Sequence, residues 1–427
     1  MGVTAFGLVG AFLLAFAAWP AVAWAQTPKD GCVACHLETG DERLMAPAKA
    51  FDGDIHKAKG FGCVACHGGD AQAAGMEGMD RAKGFIGVPT RKQIPQVCGR
   101  CHADAGFMKR YNPSLRVDQV AEYESSVHGR RLRELGDAKV ATCASCHPAH
   151  NIRPPSDPKS SVYPLQVADT CGRCHSDAKY MASYKIPTDQ MAKYKTSVHW
   201  KAMTDKGDLS APTCNDCHGN HGAVPPGVNW VGNVCGQCHS LTAELFKKSV
   251  HAKAFAEMGN PGCATCHENH GIQPPGDFLL GLGDKAVCST CHSAGDKGGK
   301  TATELRALID SLSAETQKAS AILLQADHAG MEVSQAQFDL NGAKDALVKA
   351  RTAVHSFMVA PVKQEVEAGL AISSKAFARG MRAMEELRFR RVWLTVFLVV
   401  VLALAAGLVM KIRQADRRPT SGSPPKH

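Results

Sequence analysis

Apolar residues gather at the two ends of the chain and thin out between them. Residues 1–25 are uniformly apolar or small, with an apolar stretch over Phe6–Ala18 and a small-residue ending at Ala23-Trp24-Ala25. This pattern predicts a secretory signal over 1–25, cleaved after Ala25. No Lys or Arg precedes the apolar stretch, so an uncleaved anchor stands as the alternative. A second run, Val392–Met410, holds 19 residues and no charge, enough for one transmembrane helix. Arg390 and Arg391 precede it, Lys411 and Arg413 follow it, and Trp393 stands at an interface position. Before this run, Thr301–Arg391 is rich in Ala, Leu, Glu, Lys and Gln, and Leu305, Leu308, Leu312 and Ala319 recur at helical spacing. The spacing predicts a helical hairpin or stalk over 299–391. Gly330 or Asn341-Gly342 would break it, and Pro361 suits the first turn of a second helix running on into the span.

The segment between these ends is poor in core-forming side chains. Aromatics make up 6% of the chain, and Gly (40) and Pro (22) are frequent. A packed interior there needs material that the side chains do not supply.

The cysteines indicate what that material is. Cys-x-x-Cys-His occurs nine times and uses all 18 cysteines. The first three copies are Cys32, Cys35 and His36; Cys63, Cys66 and His67; and Cys98, Cys101 and His102. The next three are Cys143, Cys146 and His147; Cys171, Cys174 and His175; and Cys214, Cys217 and His218. The last three are Cys235, Cys238 and His239; Cys263, Cys266 and His267; and Cys288, Cys291 and His292. This is the attachment signature of c-type haem. The two thiols add across the two vinyl groups of one haem, and the adjacent His binds the iron from one face. Zinc sites draw four ligands from paired half-sites and need no such His, and nine half-sites do not pair off. A disulfide framework places no His at a fixed position, and a thioredoxin-like pair is a single motif beside a βαβ pattern. The sequence therefore predicts nine covalently attached haem c groups, whose flat apolar faces fill the interior. Nine haems with ionised propionates bring the formal charge of +9 to about 0 in the ferric state. The basic residues thus read as counter-charge for propionates, and no nucleic-acid partner is expected. Because c-type haem is attached outside the cytoplasm, residues 26–391 are expected in the periplasm and 411–427 as a cytoplasmic tail.

Within about 120–292 the chain repeats three times. Each unit holds a Ser-Val-His (His128, His199, His251), a Cys-x-x-Cys-His-x-x-His whose last residue is His150, His221 or His270, a Pro-Pro, and a second haem motif. Each unit thus supplies two haems and two further His, the count needed for bis-His ligation. His56 can serve one of the three N-terminal motifs, and His328 and His355 would bring the distal set to nine. Met45, Met76, Met79 and Met108 are competing distal ligands. Spacing alone does not pair a ligand with its haem.

These motifs resemble the multihaem c-type cytochromes, in particular the cytochrome c3-like proteins with paired CxxCH motifs, over about residues 32–292. The resemblance implies a mainly α fold with extensive coil: a haem-packed nonahaem domain over 26–298, followed by the helical stalk and the transmembrane helix 392–410. It also implies an electron carrier of anaerobic respiration held at the inner membrane, working with redox partner proteins such as a quinone-reactive membrane subunit. The chain is partly similar to the single-helix quinol dehydrogenases, but its anchor is C-terminal and its haems number nine. His on both faces of an iron leaves no site for substrate, so no catalytic residue is assigned. The alternative is an oxidoreductase of small nitrogen or sulfur compounds acting at one open haem. A third role, a docking subunit for a partner complex, is compatible with the first.

Overall fold

A computed structural model describes residues 30–73, 75–225 and 234–417. The signal segment 1–25 and the end of the tail lie outside these residues. The described residues are helical or coil, without a strand. The chain divides at Tyr163 and Pro164 into two compact units, each described by itself.

The haem motifs sit on short helices for a geometric reason. Residues i, i+3 and i+4 share one helix face, so a helical turn presents both thiols and the imidazole on the same side. In the first unit the first motif lies within helix α1, Gly31–Glu38, which packs on α2, Glu42–Ala50. Cys63–His67 spans the short helix Val64–His67, and Cys98–His102 ends the helix Ile94–His102. Few large apolar side chains are buried here; Met108, Leu132 and Val140 are the main ones.

In the second unit, Cys171–His175 ends the helix Pro164–His175, and short helical turns carry the next motifs. Three long helices follow: α3 (Lys297–His328), α4 (Ser334–Ala353) and α5 (Val359–Asp416). The predicted hairpin is thus a three-helix bundle. Gly330, at φ +78°, makes the first reversal, a conformation that costs glycine little, whereas Asn341-Gly342 continues inside α4. Pro361 lies in the first turn of α5, where its missing N–H is no loss. The bundle core contains Leu305, Ile309, Leu312, Val362 and Val366, all 2% exposed or less. A second cluster with Leu323, Ala326, Leu340, Ala376 and Ala383 continues it towards the Gly330 turn. Small residues bring the helices close. A Cβ on Gly369 would stand 2.8 Å from both Leu312 methyls and 3.0 Å from Ala346 Cβ. The hydroxyls of Thr316 and Ser373 meet at 3.0 Å inside the bundle.

Beyond Ala383 no α5 residue is buried. The helix there is long and apolar enough to cross a membrane by length and composition. From Val359 to Val392 it rises about 50 Å.

Candidate haem sites

The distal histidines are placed by one recurring device. Ser126 and Ser197 are fully buried N-caps whose hydroxyls accept the N–H groups of Gly129 (2.9 Å) and Trp200 (3.2 Å). The cap fixes the start of the helix, so the His two residues on always leaves its first turn in the same direction. Tyr123 Oη donates to the Ala141 carbonyl (2.8 Å) and Tyr194 Oη to that of Pro212 (2.9 Å), tying each device to the segment before a haem motif. The sequence repeat does not extend to the N-terminal part, yet the structure shows the same device there. Asp54-Ile55-His56 has Asp54 as N-cap, accepting from His56 N–H. Ile55 N–H donates to the Ile152 carbonyl (2.8 Å), as Val198 N–H does to that of Ile272 (2.8 Å). Asp replaces Ser at the cap, which the helix tolerates and a repeat search does not see.

Among the described residues, pairs of imidazoles face one another, each made of one motif His and one other His. Their ring centroids are 6.0 Å apart for His102 and His56, 5.9 Å for His67 and His150, and 6.5 Å for His239 and His199. They are 6.0 Å apart for His218 and His270, 6.0 Å for His292 and His251, and 6.1 Å for His267 and His355. An imidazole nitrogen binds such a metal at about 2 Å and lies about 1 Å from its ring centre, so two imidazoles on one iron put their centroids roughly 6 Å apart. The residues therefore fit a bis-His haem at each pair. Two rules emerge. The helix-start histidines His56, His199 and His251 face the second motif downstream of themselves; the Ser249 hydroxyl before His251 donates to the Phe246 carbonyl and makes no cap bond. The loop histidines His150 and His270 face His67 and His218, each an earlier motif. His355, in the short turn between α4 and α5, faces His267.

Hydrogen bonds select the nitrogen left for a metal. Nδ1 donates to Asp54 from His56 (2.9 Å), to Gly87 O from His67 (2.8 Å) and to Val224 O from His218 (3.2 Å). It donates to Asp296 from His292 (3.1 Å) and to Thr352 O from His355 (3.0 Å). A proton on Nδ1 leaves the Nε2 lone pair for coordination and fixes the ring. Burial pushes His150, His199, His251, His267, His270 and His355 below the usual imidazole range, keeping them neutral as a ligand must be. Burial alone would raise the Asp54 carboxyl. Hydrogen bonds from the His56 ring and from the Ile152 and His56 N–H groups outweigh it and hold the group below the usual carboxylate range.

Consecutive motifs are neighbours within each unit. Asp30 Oδ1 accepts Cys32 N–H at 3.0 Å, and Asp30 Oδ2 accepts Cys63 N–H at 3.5 Å. The thiols of Cys98 and Cys143 are near enough to perturb one another's acidity, as are those of Cys171 and Cys214, and of Cys235 and Cys263. Sequence order is thus spatial order along each unit. Burial pushes the Cys63 thiol up to about 12 and the Cys266 thiol up to about 11, and it raises Cys66 and Cys217 as well.

Cys35, Cys66, Cys238 and Cys291 are exposed, the other motif cysteines are half-buried, and none is in a disulfide. Arg100 Nη2 also donates to the Cys66 carbonyl (2.7 Å), and the role of the second cysteines, Cys35, Cys101, Cys174, Cys238 and Cys291 among them, rests on the CxxCH spacing, which sets them one helical turn after the first thiol.

His128 lies in the helix capped by Ser126, His147 follows Cys143–Cys146, His175 ends its helix and His221 lies in the turn after His218. His36 ends a turn of α1 and faces no second imidazole among the described residues. His328 is exposed at the end of α3, beside the Gly330 turn. Met108 is buried and Met76 is 76% exposed.

Paired motifs on short helices, with a second imidazole opposite the motif histidine, define a multihaem c-type cytochrome with covalently bound haem c. Residues 210–293 match the cytochrome c3 family. The chain is 27% identical over 223 residues to the multihaem cytochrome MtrA of Shewanella baltica, covering 49% of this chain and 52% of that protein. It is 23% identical over 213 residues to the C-type polyhaem cytochrome OmcC of Geobacter sulfurreducens, covering 44% of this chain and 25% of that one. The chain thus spans about half the length of the first relative and a quarter of the second. No solved structure matches.

Proposed function

We propose that this chain is an electron carrier with nine haem c groups, one on each CxxCH motif, that follow one another in sequence order within each unit. Each haem is joined through both cysteines of its motif, Cys35, Cys101, Cys174, Cys238 and Cys291 included. The facing imidazole pairs carry the proposal: an iron held by His on both faces exchanges electrons without binding substrate. His128 and His221, at the repeat positions of His199 and His270, belong to the same distal set. The apolar part of α5 anchors the chain in the inner membrane, with the haem segment 26–298 in the periplasm. Electrons pass between the quinone pool, through a membrane partner, and a periplasmic or outer acceptor in respiration. The test is intact mass of the holoprotein with potentiometric titration of the haem bands. Nine haem increments and a spread of low-spin potentials support the proposal. A missing haem overturns the count, and high-spin haems throughout overturn the carrier.

One observation favours a second reading, an oxidoreductase acting at one open iron: His36 faces no imidazole among the described residues. An EPR spectrum of the oxidised protein, repeated with nitrite, hydroxylamine and sulfite, decides it. A high-spin signal that shifts with these ligands supports an enzyme, and an unmoved spectrum excludes it.

A further inference from the structure

These imidazole pairs differ in the angle between their rings. Where a loop histidine or His355 faces the motif, the rings are nearly parallel, at 10°, 13° and 26°. Where the start of a helix supplies the facing histidine, the rings are perpendicular for His56 and His251, at 88° and 90°, and tilted for His199, at 43°. At the first of the perpendicular pairs, the Asp54 carboxylate explains the angle, because it locks the His56 ring through Nδ1. The other perpendicular pair, His251 and His292, has no such lock on its distal ring. His251 Nδ1 is buried without a hydrogen-bond partner among the described residues.

A different contact fills that role. The Phe357 ring lies 4.0 Å from the His251 ring, centroid to centroid, while Phe255 stands at 5.5 Å. Phe357 belongs to the turn between α4 and α5 and sits in the left-handed region at φ +54°, which a bulky residue occupies only when its surroundings impose it. Two residues earlier, the same turn delivers His355 to His267.

We propose that Phe357 is a positioning residue that holds the His251 imidazole crosswise to His292 and so sets the axial geometry of the haem at Cys288–His292. The bundle then governs the last two haems by separate means, supplying a ligand to one and orienting a ligand of the other. This rests on bis-His ligation as proposed above.

The test is EPR of the fully oxidised holoprotein. Crossed imidazole planes on low-spin ferric iron give a strongly anisotropic signal with a very large highest g value, whereas parallel planes give a rhombic three-line signal. The wild type is expected to show both classes. Phe357→Ala, and Phe357→Asn, which tolerates the left-handed backbone but lacks the ring, are expected to move one haem's intensity from the first class to the second. Phe357→Tyr is expected to keep it, and the haem of His267 to stay low-spin in all three. An unchanged spectrum in the Asn variant overturns the proposal, as does a single class in the wild type. Loss of the low-spin state at the haem of His267 in every variant also overturns it, since Phe357 would then only dock the turn. A wild-type spectrum without low-spin haem overturns bis-His ligation instead.

Discussion

The His355 ring faces that of His267 at 6.1 Å and 26°, although His355 belongs to the helical bundle and no haem motif follows it in the chain. In the earlier repeats this position opposite the first motif is filled by the loop histidine of the next repeat, as His270 fills it for His218. No repeat follows the third, and the bundle supplies the imidazole. Under the proposed bis-His ligation, the bundle is part of a haem site as well as a support.

His355→Ala is expected to convert one haem from low-spin to high-spin, read by EPR or magnetic circular dichroism, and to create a site that takes up cyanide. His328→Ala is expected to leave both spectra unchanged, since His328 is exposed at the other end of the bundle. Equal effects of the two substitutions would refute this assignment.

Core substitutions in the bundle should reach the same haem. Leu312 is fully buried, and truncating such a residue costs about 2–5 kcal/mol. Leu312→Ala should lower the thermal midpoint of the helical signal. Gly369→Leu should do so too, because even a Cβ there meets Leu312 and Ala346. The midpoint for loss of low-spin character at the haem of His267 is expected to fall together with the helical one.

Asp54 accepts hydrogen bonds from Ile152 N–H (2.8 Å) and from both nitrogens of His56 that face it (2.9 Å each). Asp54→Ala leaves these donors unpaired in a site where the carboxylate is 3% exposed. The expected cost is at least about 2 kcal/mol of local stability, measured by hydrogen exchange at Ile152. A shift in the potential of the haem at Cys98–His102 should accompany it. Asp54→Ser, which restores the cap used by the later repeats, is expected to recover much of the stability.

Withholding haem separates the two kinds of folding in the chain. The bundle has its own apolar core, whereas the motif-bearing segments bury few large side chains. In cells that lack cytochrome c maturation, circular dichroism is expected to retain the bundle's helices, and limited proteolysis to digest residues 30–292. Protease resistance across that segment would show that the side chains suffice without haem.

The mainly helical class, the haem chemistry and the apolar helix were legible in the sequence, because CxxCH spacing and a long uncharged run have few other meanings. The pairing of ligands was not. His270 faces a motif in the preceding repeat and His355 comes from another part of the unit, and such pairings depend on how loops fold over one another. The N-terminal copy of the capped device was missed because Asp54 and Ser126 do the same physical work with different letters. Gly330 could be seen as a break, but a bundle of three helices rather than a hairpin follows from where α4 packs, which periodicity does not reveal.

The length of α5 has a consequence for the path of the electrons. Between the turn that carries His355 and the first residue of the apolar run, the helix rises about 50 Å. With the apolar run in the bilayer, the haems beside that turn stand on a mast. Tunnelling falls off exponentially with distance, and a gap of this size stops it. Under the proposed anchoring, electrons exchanged between the membrane and the haem of His267 or His292 must cross that clearance through further redox groups, and the mast sets how far those groups must reach.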